Sequence, residues 1–374
     1  MNPLSSGPLR IASSLAGDRR VNKTPNAQLS GDAQRDGIPP AMESVVTALM
    51  APGKGLLAAD DSAPTSETRF REIGPVSTEQ KWCAYLEMLL TAPRLHDSIS
   101  GVMLFDETIH QRTRTGVTMP ELLSSLGIIP GIRVDLGTVR LAHSPGETMT
   151  QGLDGVRERL LDYRRLGARF TTWRAELSIA DDIPSRGCIA ANATQMALFA
   201  ALSQEAGLVP IVEPVVLMQG MHGIDRCEEV TNIVLTRVFD ALSMHGVDCT
   251  RLLLTTGMVL SGSECPDQAG IDQVAETTIR CLREVVPASI AGIMFLSGGQ
   301  GEEQVTDCLN AMYRTGRRPW PMSFSLGRML HSSVFKLWNG SSSNTVAVQT
   351  ELLRRVQRYS RVARGAAGTA MAGR

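Results

Sequence analysis

The stretch Val209-Pro-Ile-Val-Glu-Pro214, "VPIVEP", is a short apolar run closed by an acid and a proline. It is too short for a core helix and rich in β-branched residues, so it reads as a buried strand. Amphipathic stretches of helical length flank it, residues 193–206 before and 227–244 after. The same unit recurs along the chain. The other runs are GLLAAD (55–60), GVMLFD (101–106), GIRVD (131–135), RFTTWR (169–174), LLLTT (252–256), GIMFLSGG (292–299) and MSFSLGR (322–328). Further helical stretches fall at 153–166 and 271–285. Short strands alternating with helices favour a parallel sheet and the α/β class. Eight such units in roughly 300 residues point to a single (β/α)8 TIM barrel rather than an open doubly wound sheet with fewer strands.

The ends read differently. Residues 1–40 are rich in Ser, Gly, Pro, Asn and Arg and are expected to form a disordered N-terminal arm. The barrel is expected over 41–345, and a C-terminal helix with a flexible tail over 346–374. The first 17 residues lack acids and weakly resemble an organelle transit peptide. The expected location is cytoplasmic, with a plastid as the alternative.

Composition narrows the function. A formal net charge of −1 gives no electrostatic reason to expect a nucleic-acid or membrane partner. No apolar run is long enough to span a bilayer. The seven cysteines form no CxxC pair and the six histidines no HExxH, so neither a metal nor another cofactor is expected. Only four of the 37 basic residues are lysine: Lys23, Lys54, Lys81 and Lys336. That matters wherever chemistry needs an amine, because a guanidinium stays protonated and is no nucleophile.

In a barrel, functional groups gather at the C-terminal ends of the strands. Asp60, Asp106, Arg133, Arg174, Glu213, Thr255, Ser297 and Arg328 fall there. Acids and arginines around one mouth suit a phosphorylated, polyhydroxylated ligand. In "LSGGQGEE" (296–303), Ser297 and Gly298 open a turn whose backbone N–H groups can approach an oxyanion. Arg328 in "SLGRML" (325–330) can bind phosphate bidentately. Glu213, fixed by Pro214, can shuttle a proton once its neighbours tune it. In "FTTWR" (170–174), strand alternation turns Thr172 and Arg174 inward if Trp173 faces out.

"APGKGLLAADDS" (51–62), "TQGLDG" (150–155), "LVPIVEP" (208–214), "FLSGGQ" (295–300) and the "RPW...SFS.GR" segment (318–328) together resemble the class I fructose-bisphosphate aldolases over about 51–340. The resemblance implies a (β/α)8 barrel, a homo-oligomer that is usually a tetramer, and no metal. It also implies reversible cleavage of fructose 1,6-bisphosphate to dihydroxyacetone phosphate and glyceraldehyde 3-phosphate. In that family a sixth-strand lysine forms a Schiff base with the ketone. By this resemblance Asp60, Glu213 and Arg174 are catalytic. Ser62, Thr65, Arg69, Arg133, Ser297, Gly298, Gly327 and Arg328 contact substrate phosphate.

Three positions depart from the family pattern. The sixth strand normally reads L-L-K-P-x-M-V and here reads Leu253-Leu-Thr-Thr-Gly-Met-Val259, so Thr255 takes the nucleophile's place. The fourth normally reads F-x-K-W-R, and Thr172 takes its lysine's place. The fifth normally reads V-E-P-E, and Val215 takes the second acid's place. The family's C-terminal tyrosine has no counterpart, the last tyrosine being Tyr359. A catalytically impaired pseudoenzyme that keeps a sugar-phosphate pocket is therefore the first expectation, and an active aldolase the alternative.

Overall fold

The computed structural model describes residues 41–62, 65, 67–68, 70–71, 78–297, 299–316 and 318–371, with the side chains of 328–332 and 365–371 left out. The expected N-terminal arm therefore lies outside the described residues. Among the described residues ten strands follow in chain order: β1 (Gly55–Ala59), β2 (Ile99–Leu104), β3 (Ile129–Arg133), β4 (Thr138–Arg140), β5 (Thr148–Thr150), β6 (Phe170–Leu177), β7 (Val209–Val216), β8 (Leu253–Thr256), β9 (Gly292–Leu296) and β10 (Met322–Leu326). Eight of them close a barrel in the order β1-β10-β9-β8-β7-β6-β3-β2, every neighbour parallel. Each strand coincides with one of the eight apolar runs, and the fold is a (β/α)8 TIM barrel.

Some elements go beyond the sequence reading. Strands β4 and β5 form a small antiparallel hairpin between β3 and the helix Val156–Arg165. Strand β6 continues past Arg174 to Leu177, paired with β7 as far as Val216. Near the C-terminus a helix runs from Thr345 to Met371, reaching into the segment expected as a tail. Its residues Val348, Leu352 and Val356 are fully buried.

Alternation along the strands sorts side chains into two cores. Outward residues such as Leu57, Val102, Trp173, Val212 and Leu254 join the large cluster between strands and helices. Trp173 packs on Phe199, ring centroids 5.4 Å apart. The sequence condition for Thr172 and Arg174 to face inward is thus met. Inward residues Leu56, Met103, Phe170, Ile211, Leu253 and Met294 form a second cluster with Val45, Val46 and Leu49 of the helix Met42–Leu49. That helix is fastened to the N-terminal ends of the strands, where the Ser100 hydroxyl donates to Leu49 O at 2.8 Å.

Phe170 fills the floor of the barrel. A Cβ on Gly131 would lie 2.2 Å from its Cζ, and one on Gly101 2.9 Å from its Cε1. Two neighbouring strands therefore give up side chains to admit one ring. Phe170→Ala should cost about 3–5 kcal/mol, the range for deleting a fully buried aromatic ring. Chemical denaturation measures this. A loss below about 1 kcal/mol would mean the floor collapses around the smaller residue.

Candidate functional site

The C-terminal ends of the strands surround a cavity of about 420 Å³. Its wall includes Asp60, Thr65, Arg133, Arg174, Ser297 and Gly327, six of the residues expected there. They come from β1, β3, β6, β9 and β10 or the loops just after them. Ser62 stands beside the cavity, its Oγ 3.1 Å from Thr65 Oγ1. Arg69, Gly298 and the side chain of Arg328 lie outside the description. The backbone places Arg328 at the first turn of the helix Arg328–Trp338. Asp106 is not part of the wall: it accepts a 2.6 Å hydrogen bond from the Tyr163 hydroxyl.

Glu213 and Arg174 are register partners on β7 and β6. Arg174 Nε donates to Glu213 Oε2 at 2.9 Å. Glu213 is 2% exposed, and its Oε1 has no partner among the described residues. Burial raises the Glu213 carboxyl above its usual range; Arg174 pulls it down and Asp60 pushes it up again. Burial also opposes the Arg174 cation, but the charges of Glu213 and Asp60 more than offset this and hold it protonated.

Thr172 and Thr255 lie below the wall rather than in it. They are 2% and 0% exposed. The pairing Ile211↔Leu253, Val212↔Leu254 puts Thr255 one step further along β8, at the level of Glu213. The Thr255 hydroxyl has no partner among the described residues.

Asp135 is a site residue that the sequence does not single out. It is 1% exposed and accepts from Arg133 Nε at 3.0 Å and Nη2 at 2.7 Å. It also accepts from the backbone N–H groups of Arg174 at 3.2 Å and Gly137 at 3.1 Å. One carboxylate thus ties the ends of β3 and β6 together and sets the direction of Arg133. Burial disfavours the Arg133 cation, yet Asp135 and Asp60 raise its pKa above the ordinary value. Asp60 Oδ2 lies 3.8 Å from Arg133 Nη1. The spacing of Arg133 and Asp135, two residues apart on one strand end, was the available signal. Asp61, Glu176, Met218, Gly299 and Ser325 also line the cavity. Gly299 takes φ +90°, which a side chain rarely tolerates, so this turn needs its glycine.

Buried carboxylates aimed at arginines, and a wall of hydroxyls and backbone at one rim, can hold an anionic polyol. Glu213, expected from the sequence to shuttle a proton, does not itself line the cavity and is joined to it through Arg174. Among the described residues no His, Cys, Asp and Glu group could hold a metal ion. None of the described lysines, Lys54, Lys81 and Lys336, belongs to the wall.

The family model for class-I fructose-bisphosphate aldolase matches residues 41–372. The chain belongs to the class I fructose-bisphosphate aldolase family. Among class I aldolase relatives, the "Probable fructose-bisphosphate aldolase class 1" of Xanthomonas campestris is 49% identical over 306 residues, 82% of this chain and 92% of that one. "Fructose-bisphosphate aldolase 6, cytosolic" of Arabidopsis thaliana is 44% identical over 316 residues, 84% of this chain and 88% of that one. In a solved structure, Plasmodium falciparum fructose-bisphosphate aldolase, in complex with TRAP and a small-molecule inhibitor, superposes with a TM-score of 0.84 at 39% identity. That match covers 87% of this chain and 94% of the other. No helix among the described residues of this aldolase-family chain is long and apolar enough to cross a membrane.

Proposed function

We infer that this member of the class I aldolase family binds a sugar bisphosphate or triose phosphate at the barrel mouth and does not cleave it. The observation that carries this reading is Thr255, a buried hydroxyl in the position of the family's nucleophilic lysine, with Thr172 in the place of the second lysine. A hydroxyl cannot form an iminium, and Arg133 and Arg174 cannot supply the amine. Asp60, Arg174 and Glu213 keep the geometry that would orient a ligand's hydroxyls and carbonyl. Phosphate is assigned to Ser297 and Gly298 at one rim, to Gly327 and Arg328 at the other, and to Arg133, with Ser62, Thr65 and Arg69 beside β1. Two features support the Gly327 rim. The helix Arg328–Trp338 starts there with no side-chain cap and no acid in its first turn, leaving N–H groups for an anion. The helix Glu302–Arg314 instead begins with Glu302 and Glu303.

The protein would act as a sensor or assembly partner, in a homo-oligomer that by family is a tetramer. Among its relatives is a cytosolic aldolase, which favours a cytoplasmic location. A second reading, a working aldolase, rests on the 49% identity to a relative that bears the enzyme's name.

Titration calorimetry with fructose 1,6-bisphosphate tests the binding. Heat is expected with the wild-type chain, and Arg328→Ala should weaken binding by roughly 10–100-fold, the worth of a charge-assisted hydrogen bond. No heat with the wild-type chain would refute the reading. Cleavage at ordinary enzyme rates in a coupled assay would establish the second one.

A further inference from the structure

The cavity wall contains a carboxylate that the family pattern does not assign. Glu176 lies on β6 directly across from Val215 on β7, one step toward solvent from the Arg174–Glu213 pair. Both residues of this row line the cavity. Ala175 and Leu177, on either side of Glu176, pack into the outer core, so Glu176 shares the inward face with Arg174. No ion pair joins Glu176 to another described residue. The two guanidinium groups nearby are engaged, Arg174 with Glu213 and Arg133 with Asp135 and Asp60. Val215 offers no donor. On β10, four strands away around the ring in either direction, Ser325 lines the same cavity. It is 2% exposed, and its Oγ has no partner among the described residues. A carboxylate and a buried hydroxyl thus face one cavity from opposite walls, with no ion pair for the one and no hydrogen-bond partner for the other among the described residues.

We propose that Glu176 is a ligand-contacting residue that accepts a hydrogen bond from a hydroxyl on the carbon chain of a sugar phosphate. This rests on the sugar-phosphate reading and extends it. The arginines and backbone amides recognise phosphate, whereas Glu176 recognises the polyol between the phosphates. A bisphosphate with no hydroxyls on its chain gains nothing from Glu176.

The test is titration of the full chain with fructose 1,6-bisphosphate and with hexane-1,6-diol bisphosphate, which keeps both phosphates and lacks the hydroxyls. Glu176→Val should weaken binding of the sugar by roughly tenfold or more, as loss of a hydrogen bond to a charged acceptor does, and leave the diol bisphosphate unchanged. Glu176→Gln, which keeps the shape, should weaken the sugar in the same direction and serves if the valine variant does not fold. The double variant Glu176→Val/Val215→Glu moves the carboxylate to its register partner and should recover most of the lost affinity. Glu176 variants that hold the sugar as tightly as wild type, or lose both ligands equally, overturn this inference alone. A wild-type chain that binds neither bisphosphate overturns the sugar-phosphate reading and this inference with it.

Discussion

Sodium borohydride added to the protein with dihydroxyacetone phosphate is expected to leave the mass of the chain unchanged. Trapping requires a primary amine to attack the ketone carbon, water to leave, and hydride to reduce the resulting C=N bond. Of the four lysines in the chain, three are described. Lys54 precedes β1 at the N-terminal end of the barrel, where its carbonyl accepts from the Ser323 hydroxyl. Lys81 is in the helix Glu79–Leu90, and Lys336 is in the helix Arg328–Trp338. None lines the cavity. The family's covalent route would also be lost in turnover. Cleavage of fructose 1,6-bisphosphate should fall by about a million-fold relative to a working relative, the order seen when a covalent nucleophile is deleted. A stoichiometric adduct on any lysine, located by peptide mass, would show that the amine has moved elsewhere and return the chain to the active aldolases.

Arg174→Leu should destabilise the fold by about 3–5 kcal/mol at neutral pH, the cost of leaving a buried charge without its partner. Glu213 is the residue stranded, with Oε1 already unpaired and Oε2 dependent on Arg174. The sign of the pH dependence follows. Burial already raises the Glu213 carboxyl above its ordinary value, and removing Arg174 takes away a pull in the opposite direction. Between the unfolded value and the raised folded value, the folded chain holds a proton that the unfolded chain has released. Stability from this group is therefore full below the unfolded value and lost as pH rises through the folded one. The deficit of Arg174→Leu against wild type should shrink on acidification, and denaturant melts of both proteins at neutral and mildly acidic pH read this directly. A deficit independent of pH would mean that Glu213 does not titrate across that range in either protein.

The barrel was legible because each strand announces itself twice, by an apolar run and by the polar residue or glycine that ends it. "VPIVEP" and "RFTTWR" carry both signals, and Trp173 faces outward, the condition on which alternation turns Thr172 and Arg174 inward. Six expected residues reach the cavity wall for the same reason: the ends of parallel strands in a closed barrel face one mouth. The strand ends were harder to fix. Strands β6 and β7 pair on through Leu177 and Val216, beyond the points where their apolar character fades. Glu176 therefore falls outside the apolar run RFTTWR, and the sequence does not single it out. Asp135 escaped notice because its role depends on a contact across strands, an N–H of Arg174 that lies 39 residues away. The hairpin of β4 and β5 has neither tight-turn glycine pairs nor a long apolar run, so only its pairing reveals it.

The separation of the barrel interior into an apolar floor and a polar rim bears on how such a protein can change. The floor, with Phe170 and the Met42–Leu49 helix, closes the N-terminal end with residues that, Ala58 apart, do not line the cavity at the mouth. Outside the buried pairs that hold the strand ends together, such as Arg174–Glu213, substitutions near the mouth are then screened mainly for what they do to ligands and weakly for what they do to folding. A lineage can exchange basic side chains between floor and rim, where Thr172 and Thr255 lie, for short hydroxylated ones and keep its scaffold intact, remaining recognisable over nearly its whole length.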